Sequence, residues 1–434
     1  MLPFILIALI SAVITIYRKI QRHNRFERIS TANNCGATHK IPLKDPILGA
    51  DLLKDSYDSV KRHKYLEHAE NRFFEIGTTF ESNMMGAMVI NTIEPENIKT
   101  ILSTKFEDYE LGSRRKNAFV PLIGHGIFTS DGPQWKHSRH LLRPNFTREQ
   151  VGDINVLGRH AKHLIDVIPR DGSVVDLQDL FFRYTMDTGT ELLFGKSTLS
   201  LLSTGGDDTT GSRFGDAFSR SQETMSQNYC LGKLAYLRPN KQFKEDSKYI
   251  HGWVDRLVRK ALDSYHEGSK ARSAASSRAS SRRNSFVSEC SSVPEERYVF
   301  LHELAKQTDD PLQLRSELLN LLIAGRDSTA SLLSNLWFEM ARRPDVWAKL
   351  REEVDTLGGS DFSVAQLKDM TYLHNCLNEC TSPYLPPSPP LFHSPKTTMP
   401  SPTLPSPPHP SPQQTMQRNQ PTQTQPSAST PLSQ

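Results

Sequence analysis

Cysteine is scarce in this chain of 434 residues: five, an odd number, at Cys35, Cys230, Cys290, Cys376 and Cys380, with no CxxC pair among them. That excludes a disulfide framework and a zinc ribbon, and it fits a reducing compartment. Distributed positive charge is lacking as well. The formal net charge is +4, yet residues 18–28 alone carry +4 and the last 54 residues +2, which leaves everything else at −2. A nucleic-acid-binding domain spreads its positive charge over folded sequence, so no nucleic-acid partner is expected. Glycine stops at Gly359 and acidic residues stop at Glu379. Long, uncharged apolar runs are confined to the first residues.

That run is Leu2 to Tyr17, LPFILIALISAVITIY. As helix it spans roughly 24 Å, short for an average bilayer and closer to the thinner endoplasmic reticulum membrane. A cleaved signal peptide carries its cations before the apolar stretch. Here Arg18, Lys19, Arg22, Arg25 and Arg28 follow it, and no small-x-small site closes it. We read residues 1–17 as a transmembrane signal anchor, single-pass in the endoplasmic reticulum membrane. By the positive-inside rule the body then faces the cytosol.

Residues 18–50 form a basic flank and a proline hinge (Pro42, Pro46, Gly49). Apolar patches at Phe73–Phe80 and Met88–Ile93 read as a small strand-containing part, and the periodicity beyond them is mostly helical. From Arg315 to Met340 apolar residues occupy nearly every face, which predicts a long helix through the middle of a large domain. A second helix starts at Pro344 and stops at Gly358-Gly359. Ser363-x-x-Gln366 is a capping-box start for a third, running through Leu367 and Leu373 towards Glu379. Residues 267–297 are Ser/Arg-rich and too poor in large apolar groups to pack, so a disordered insertion is expected, with Arg282-Arg283-Asn284-Ser285 as a kinase-type sequence. Residues 381–434 hold 16 of the 28 prolines and no Asp, Glu or Gly. They should be disordered with polyproline II character, and Pro383–Pro386 is one of the PxxP matches that such composition supplies freely.

Two constellations carry chemistry. Ala324-Gly325-Arg326-Asp327-Ser328-Thr329 breaks the long helix's apolar pattern with two small residues, an acid and two hydroxyls. Glycine there costs roughly 1 kcal/mol against alanine, and the hydroxyls can bend the helix by bonding back to carbonyls one turn earlier. A buried helix that breaks local rules points to a flat or small ligand lying against the backbone with protons delivered to it; a kink with a solvated Asp327 is the bland alternative. In Trp135-Lys136-His137-Ser138-Arg139, Trp135 and Arg139 share a helical face, where an indole N–H and a guanidinium could hold an anion or simply pair with each other.

These segments occur in the order found in the cytochrome P-450 family, which the chain resembles over about residues 1–379. TIEPENIKTIL (92–102), GIFTSDGPQWKHSRHLLRPNF (126–146) and LNLLIAGRDSTASLLS (319–334) look most like the fungal branch that hydroxylates n-alkanes and fatty acids. The resemblance implies a mainly α fold with a small β part, a truncated cytochrome P-450 domain over 51–380. It also implies a heme cofactor, a monooxygenase activity, an NADPH-cytochrome reductase as partner and a lipophilic substrate. Carried over residue by residue, it implies that Trp135 and Arg139 bind heme propionates and that Ala324 and Gly325 let the porphyrin lie against the helix. Asp327, Ser328 and Thr329 would relay protons, with Ser328 standing where the family usually has threonine.

Glu379 fills the first position of the family's Glu-x-x-Arg pair, but Ser382 stands at the arginine position, and no cysteine follows Cys380. The family's thiolate ligand sits on a shielding loop. Cys376 and Cys380 fall on a predicted helix without one, so no metal ligand is assigned and the chain as written is expected to be inactive. The abrupt change at codon 380 points to a shifted reading frame or a retained intron. The alternative is a non-catalytic endoplasmic reticulum protein whose Pro-rich tail binds partners. Gly195-Lys196-Ser197 lacks the spacing of a phosphate loop, and His137/His140 and His160/His163 lack a third ligand and are expected to be solvated.

Overall fold

The computed structural model describes residues 2–36, 38–45, 49–62, 64–84, 87–146, 153–203, 210–280, 298–359 and 362–381. Helix α1 (Leu2–Ala32) joins the apolar run and its basic flank in one rod. Its apolar part ends at Tyr17, fewer than the roughly 20 residues a bilayer span needs. Among the described residues no helix is long and apolar enough to cross a membrane.

After β1 (His39–Lys40) come α2 (Ala50–Lys61), α3 (Tyr65–Ile76), β2 (Thr79–Met84) and β3 (Ala87–Thr92). The hairpin β2–β3 pairs Thr79 with Thr92 through Met84 with Ala87, and β1 runs parallel to β2 with His39 opposite Phe80. Alternation turns Phe80 and Ser82 inward, and Phe73 of α3 packs on Phe80 with ring centroids 5.1 Å apart. The patch expected at Phe73–Phe80 is therefore half helix. Arg72 to Ile76 continue the helical period of α3, and Gly77 ends it at φ 125° before the strand starts.

The helical body follows: α4 (Pro95–Lys99), α5 (Gly112–Ile123), α6 (Gly132–Leu142), α7 (Ile154–Val167), α8 (Leu177–Phe194), α9 (Thr210–Leu231), α10 (Lys241–Ser280), α11 (Phe300–Ala305), α12 (Pro311–Arg342), α13 (Pro344–Asp355), α14 (Val364–Asp369) and α15 (Thr371–Thr381). Aspartates start several of them. Asp153, Asp176 and Asp310 accept hydrogen bonds from the first free N–H groups of α7, α8 and α12. The long helix expected over Arg315–Met340 is α12, which begins one turn earlier because Asp310 caps it and Pro311 suits its first position.

Helix α12 runs along α8 and also packs on α5, α10, α11, α13 and α15. Leu314, Leu318, Leu319 and Leu322 enter one core with Phe214 and Phe218 of α9 and Trp253 of α10. Trp253 meets Phe194 edge-on at 5.5 Å and Phe214 at 4.6 Å. A second, smaller core holds Leu336, Met340, Leu350, Cys376 and Cys380.

Two expectations change. Helix α10 extends to Ser280, so residues 267–280 of the expected disordered insertion are helical. A helix already nucleated by packing propagates cheaply through Ala, Ser, Lys and Arg. The helix expected from Ser363 to Glu379 is two helices. Ser363 and Gln366 form both halves of the capping box of α14, but Met370 leaves helical geometry, and Glu353 of α13 starts α15 by accepting from the Tyr372 and Leu373 N–H groups, both at 2.8 Å. Ser285, Pro383–Pro386 and the remaining Pro-rich tail lie outside the described residues.

Candidate cofactor face of the long helix

From Leu314 to Leu322 α12 is largely enclosed, with Leu314, Ser316, Glu317, Leu318, Leu319, Asn320 and Leu322 all buried; from Gly325 one side opens, and Gly325, Ser328 and Thr329 are exposed. Residues 317, 321, 324 and 328 share one face at helical spacing. At the buried end of that stripe, polar side chains dock the loop that leads into α6. Glu317 Oε2 accepts from the Ile127 N–H at 3.3 Å, and Asn320 Oδ1 accepts from the Phe128 N–H at 3.0 Å. The Asn320 amide donates to the Ile123 carbonyl at 3.0 Å. Glycine permits this approach: a Cβ on Gly124, at φ 68°, would lie 2.1 Å from Ser316 Oγ, and one on Gly126 2.5 Å from Asn320 Nδ2.

The docked loop sets α6 beside the stripe. Burial raises the Glu317 carboxyl above the usual carboxylate range, opposed in turn by the Ser138 hydroxyl, the Ile127 N–H and the charge of His137. Oε1 of Glu317 is buried without a hydrogen bond. One helical face of α6 carries Trp135 and Arg139, as their spacing requires. Trp135 packs against Phe106 with the rings tilted by 48° and their centroids 4.8 Å apart, and the Arg139 guanidinium lies 5.4 Å over the indole. Arg139 is exposed and has no carboxylate partner among the described residues, so its charge remains open to an anion.

Ala324 and Gly325 line a cavity of about 350 Å³ with Leu321, Gly189, Leu192, Leu193, Phe146, Tyr298 and Phe300. A Cβ on Gly325 would meet nothing within 4 Å, so space and not packing surrounds this glycine. Ser328 donates to the Ala324 carbonyl at 2.7 Å, the back-bond its sequence position suggests. Asp327 is turned away from Ser328 towards α9. Its Oδ2 accepts from the Gln222 amide at 2.5 Å and its Oδ1 from Arg326 Nη1 at 3.0 Å. The structure thus brings Ala324, Gly325, Ser328 and Thr329 to the side where α12 opens and turns Asp327 towards α9.

Arg326 is the residue that sequence reasoning passed over. It is 7 % exposed, its guanidinium lies over Phe182 at 4.8 Å, and it donates to Gln222 Oε1 at 2.7 Å and Ser219 Oγ at 2.8 Å. Burial pulls its pKa down and Asp327 opposes the shift. A charged residue inside an apolar helical run was the available signal. The histidines differ too: His160 is not solvated but buried between α7 and α8, where its Nε2 meets Glu191 Oε2 at 2.6 Å, while Arg159 holds the other oxygen at 3.0 Å. The α7 stripe that buries Val156 carries His160 inside with it.

A flat macrocycle suits the open Ala324–Gly325 face, and Arg139 suits its acids. An axial donor does not follow. Cys376 and Cys380 are buried in the smaller core, where burial raises both thiol pKa values, with Glu353 adding at Cys376 and the Cys376 thiol at Cys380. Cys35 and Cys230 are exposed. Among the described residues no three His, Cys, Asp or Glu side chains could hold a metal ion. The residues present fit one side of a heme and do not supply its iron ligand.

The family model described as Cytochrome P450 matches residues 42–389. The cytochrome P450 monooxygenase himC of Aspergillus japonicus is 41% identical over 87% of this chain and 64% of its own length. Cytochrome P450 52A5 of Candida maltosa is 40% identical over 75% of the chain and 59% of its own length, and cytochrome P450 52A12 of Debaryomyces hansenii 38% over 77% and 63%. The chain therefore spans less than two thirds of the length of these relatives. With a matched region that takes in both Trp135-x-x-x-Arg139 and the open turn of α12, the chain belongs to the cytochrome P450 family.

Proposed function

We propose that this chain carries the anchor and the substrate side of a monooxygenase that hydroxylates n-alkanes or fatty acids. The observation that supports it is the cavity that Ala324 and Gly325 line where α12 opens, with the loop before the Trp135–Arg139 helix tied to Glu317 and Asn320 of the same helix. Heme, when bound in the family, activates O2 with electrons delivered by an NADPH-dependent reductase, so that one oxygen atom enters a C–H bond. In this chain Arg139, with Trp135 beneath it, would hold the acidic edge of the ring, Ala324 and Gly325 would accept its flat face, and the apolar wall of Leu192, Leu193 and Leu321 would exclude water. Ser328 holds its proton at the Ala324 carbonyl, one turn from Asp327. We propose the endoplasmic reticulum membrane as the location, with α1 as a single-pass anchor and the body in the cytosol.

The chain as written is proposed to be inactive, because its buried cysteines are thiols in a core and residues 381–434 contain no cysteine. We attribute the Pro-rich residues 381–434 to another reading frame or a retained intron, and transcript sequencing should reveal a form encoding arginine three residues after Glu379 and a Phe-x-x-Gly-x-Arg-x-Cys-type loop further on. The functional test is a chimera that joins residues 1–379 to the matching C-terminal part of cytochrome P450 52A5. With a reductase it should hydroxylate dodecane or dodecanoate. A chimera that forms the thiolate-type carbon monoxide band and oxidises neither compound overturns the substrate reading.

A further inference from the structure

Away from the α12 stripe, a cleft of about 450 Å³ separates the end of α5 from the first half of α10. Its α10 wall is one helical face, with Lys244, Ser247, Lys248, His251 and Asp255 at helical spacing, and Phe243 and Pro121 give it an apolar floor. The charges along this wall are not balanced. Asp255 is neutralised by Arg315, whose Nη1 reaches both carboxylate oxygens at 3.1 and 2.9 Å. Asp246 is taken by Arg220 and Gln242, and Glu245 by Lys241. Neither Lys244 nor Lys248 has a carboxylate partner among the described residues, and both are exposed. Between them Ser247 is 6 % exposed, and its hydroxyl is buried without a hydrogen bond.

His251 cannot balance the ammonium groups. Its Nε2 lies 2.6 Å from the Leu122 carbonyl, which can only accept, so that nitrogen is the donor. Burial lowers the imidazole pKa and the carbonyl opposes this only in part. Two free ammonium groups, a spare hydroxyl and the positive end of α10 thus face an apolar floor. The site is separate from the cofactor face: Arg315, which ties the cleft's Asp255 to α12, stands nine residues before Ala324, half a turn round the helix.

We propose that this cleft binds an amphiphilic monocarboxylate, its carboxylate between Lys244 and Lys248 and its alkyl chain along Phe243 and Pro121. Exposed ammonium groups contribute little singly, so both lysines and the apolar floor are required. The proposal does not rest on the reading of α12 and leaves it intact if it fails. The test is equilibrium dialysis of labelled octanoate against the full chain in zwitterionic nanodiscs, with empty nanodiscs as blank. Octanoate should bind at least about tenfold more tightly than 1-octanol, and its affinity should fall as salt is raised. Lys244→Gln/Lys248→Gln should lose about tenfold in affinity, while Lys260→Gln, elsewhere on α10, should change nothing. Equal binding of octanol, affinity indifferent to salt, or full affinity in the double variant overturns the proposal. Inorganic phosphate displacing octanoate as well as octanoate itself also overturns it, since the cleft would then be a bare anion site. The salt series and the octanol comparison need no variant, so they decide the matter even if the double variant does not fold.

Discussion

Gln222 of α9 donates its side-chain amide to the Asp327 carboxylate of α12 at 2.5 Å, so the acid of the Ala-Gly-x-Asp turn is held by a neighbouring helix and not by the hydroxyl residues that follow it. The same amide group accepts from Arg326, which also reaches Ser219. Four side chains thus join α9 to the long helix one residue from its open face.

Replacing Arg326 by alanine removes the centre of this knot and leaves a void between Phe182 and Phe218, while the exposed Ser219 keeps its bond to the Gly215 carbonyl and Gln222 its bond to Asp327. Asp327 is 42 % exposed on its side chain, so water covers part of its loss. We expect a destabilisation of about 2–3 kcal/mol in urea unfolding, carried mostly by the void. Arg326→Lys should recover only part of it, because one ammonium cannot reproduce the fork that serves Ser219 and Gln222 together. A cost below about 0.5 kcal/mol for the alanine variant would show that the knot does not hold α9.

Glu317 gives a pH signature. Burial raises its carboxyl pKa in the folded chain above the unfolded value. Its contribution is fully present below the unfolded pKa, about 4.3, and is lost as pH rises through the folded value. Glu317→Gln keeps an acceptor for the Ile127 N–H and has no proton to lose. Urea unfolding of both forms should show the wild type losing stability relative to the variant as pH rises above the unfolded value of about 4.3. A difference that is flat or grows the other way would mean that Glu317 is ionised at no cost.

Much of this arrangement is legible in the sequence. The span of α12 follows from apolar residues on every face, the face of Trp135 and Arg139 from their spacing, and the start of α14 from Ser363 and Gln366. What escaped depends on partners distant in the chain. The break between α14 and α15 is fixed by Glu353 from α13, and the orientation of Asp327 by Gln222, more than a hundred residues before it. His160 is inside because Glu191 waits on α8. Local pattern reports which face is apolar; it does not report which buried polar group finds its mate there.

The cysteines can be ranked by reactivity. Cys35 and Cys230 are exposed, whereas Cys376 and Cys380 are buried with raised pKa values, so they remain protonated and shielded. Iodoacetamide should modify Cys35 and Cys230 in the native chain and reach Cys376 and Cys380 only on unfolding. For the same reason the expressed chain should purify without stoichiometric heme and show no thiolate-type Soret band with carbon monoxide. Such a band, lost on substitution of Cys376 or Cys380, would make one of them an iron ligand and reverse our account of the smaller core.

The proposed membrane arrangement makes an independent prediction. In α1 the apolar residues precede Arg18, Lys19, Arg22, Arg25 and Arg28, and cations within about 15–20 residues of an apolar segment stay on the cytosolic side. The apolar part is only sixteen residues long, so the anchor has little length to spare and the basic flank must set the orientation. An N-glycosylation acceptor engineered near residue 210 should therefore stay unmodified in microsomes, and the chain should remain with the membrane pellet at alkaline pH. Replacing the five basic residues by glutamine should let part of the population invert, which the same acceptor reports as glycosylated chain. Release into the alkaline supernatant would show that α1 lies on the membrane instead of crossing it, and glycosylation of the unmodified flank would place the body on the lumenal side.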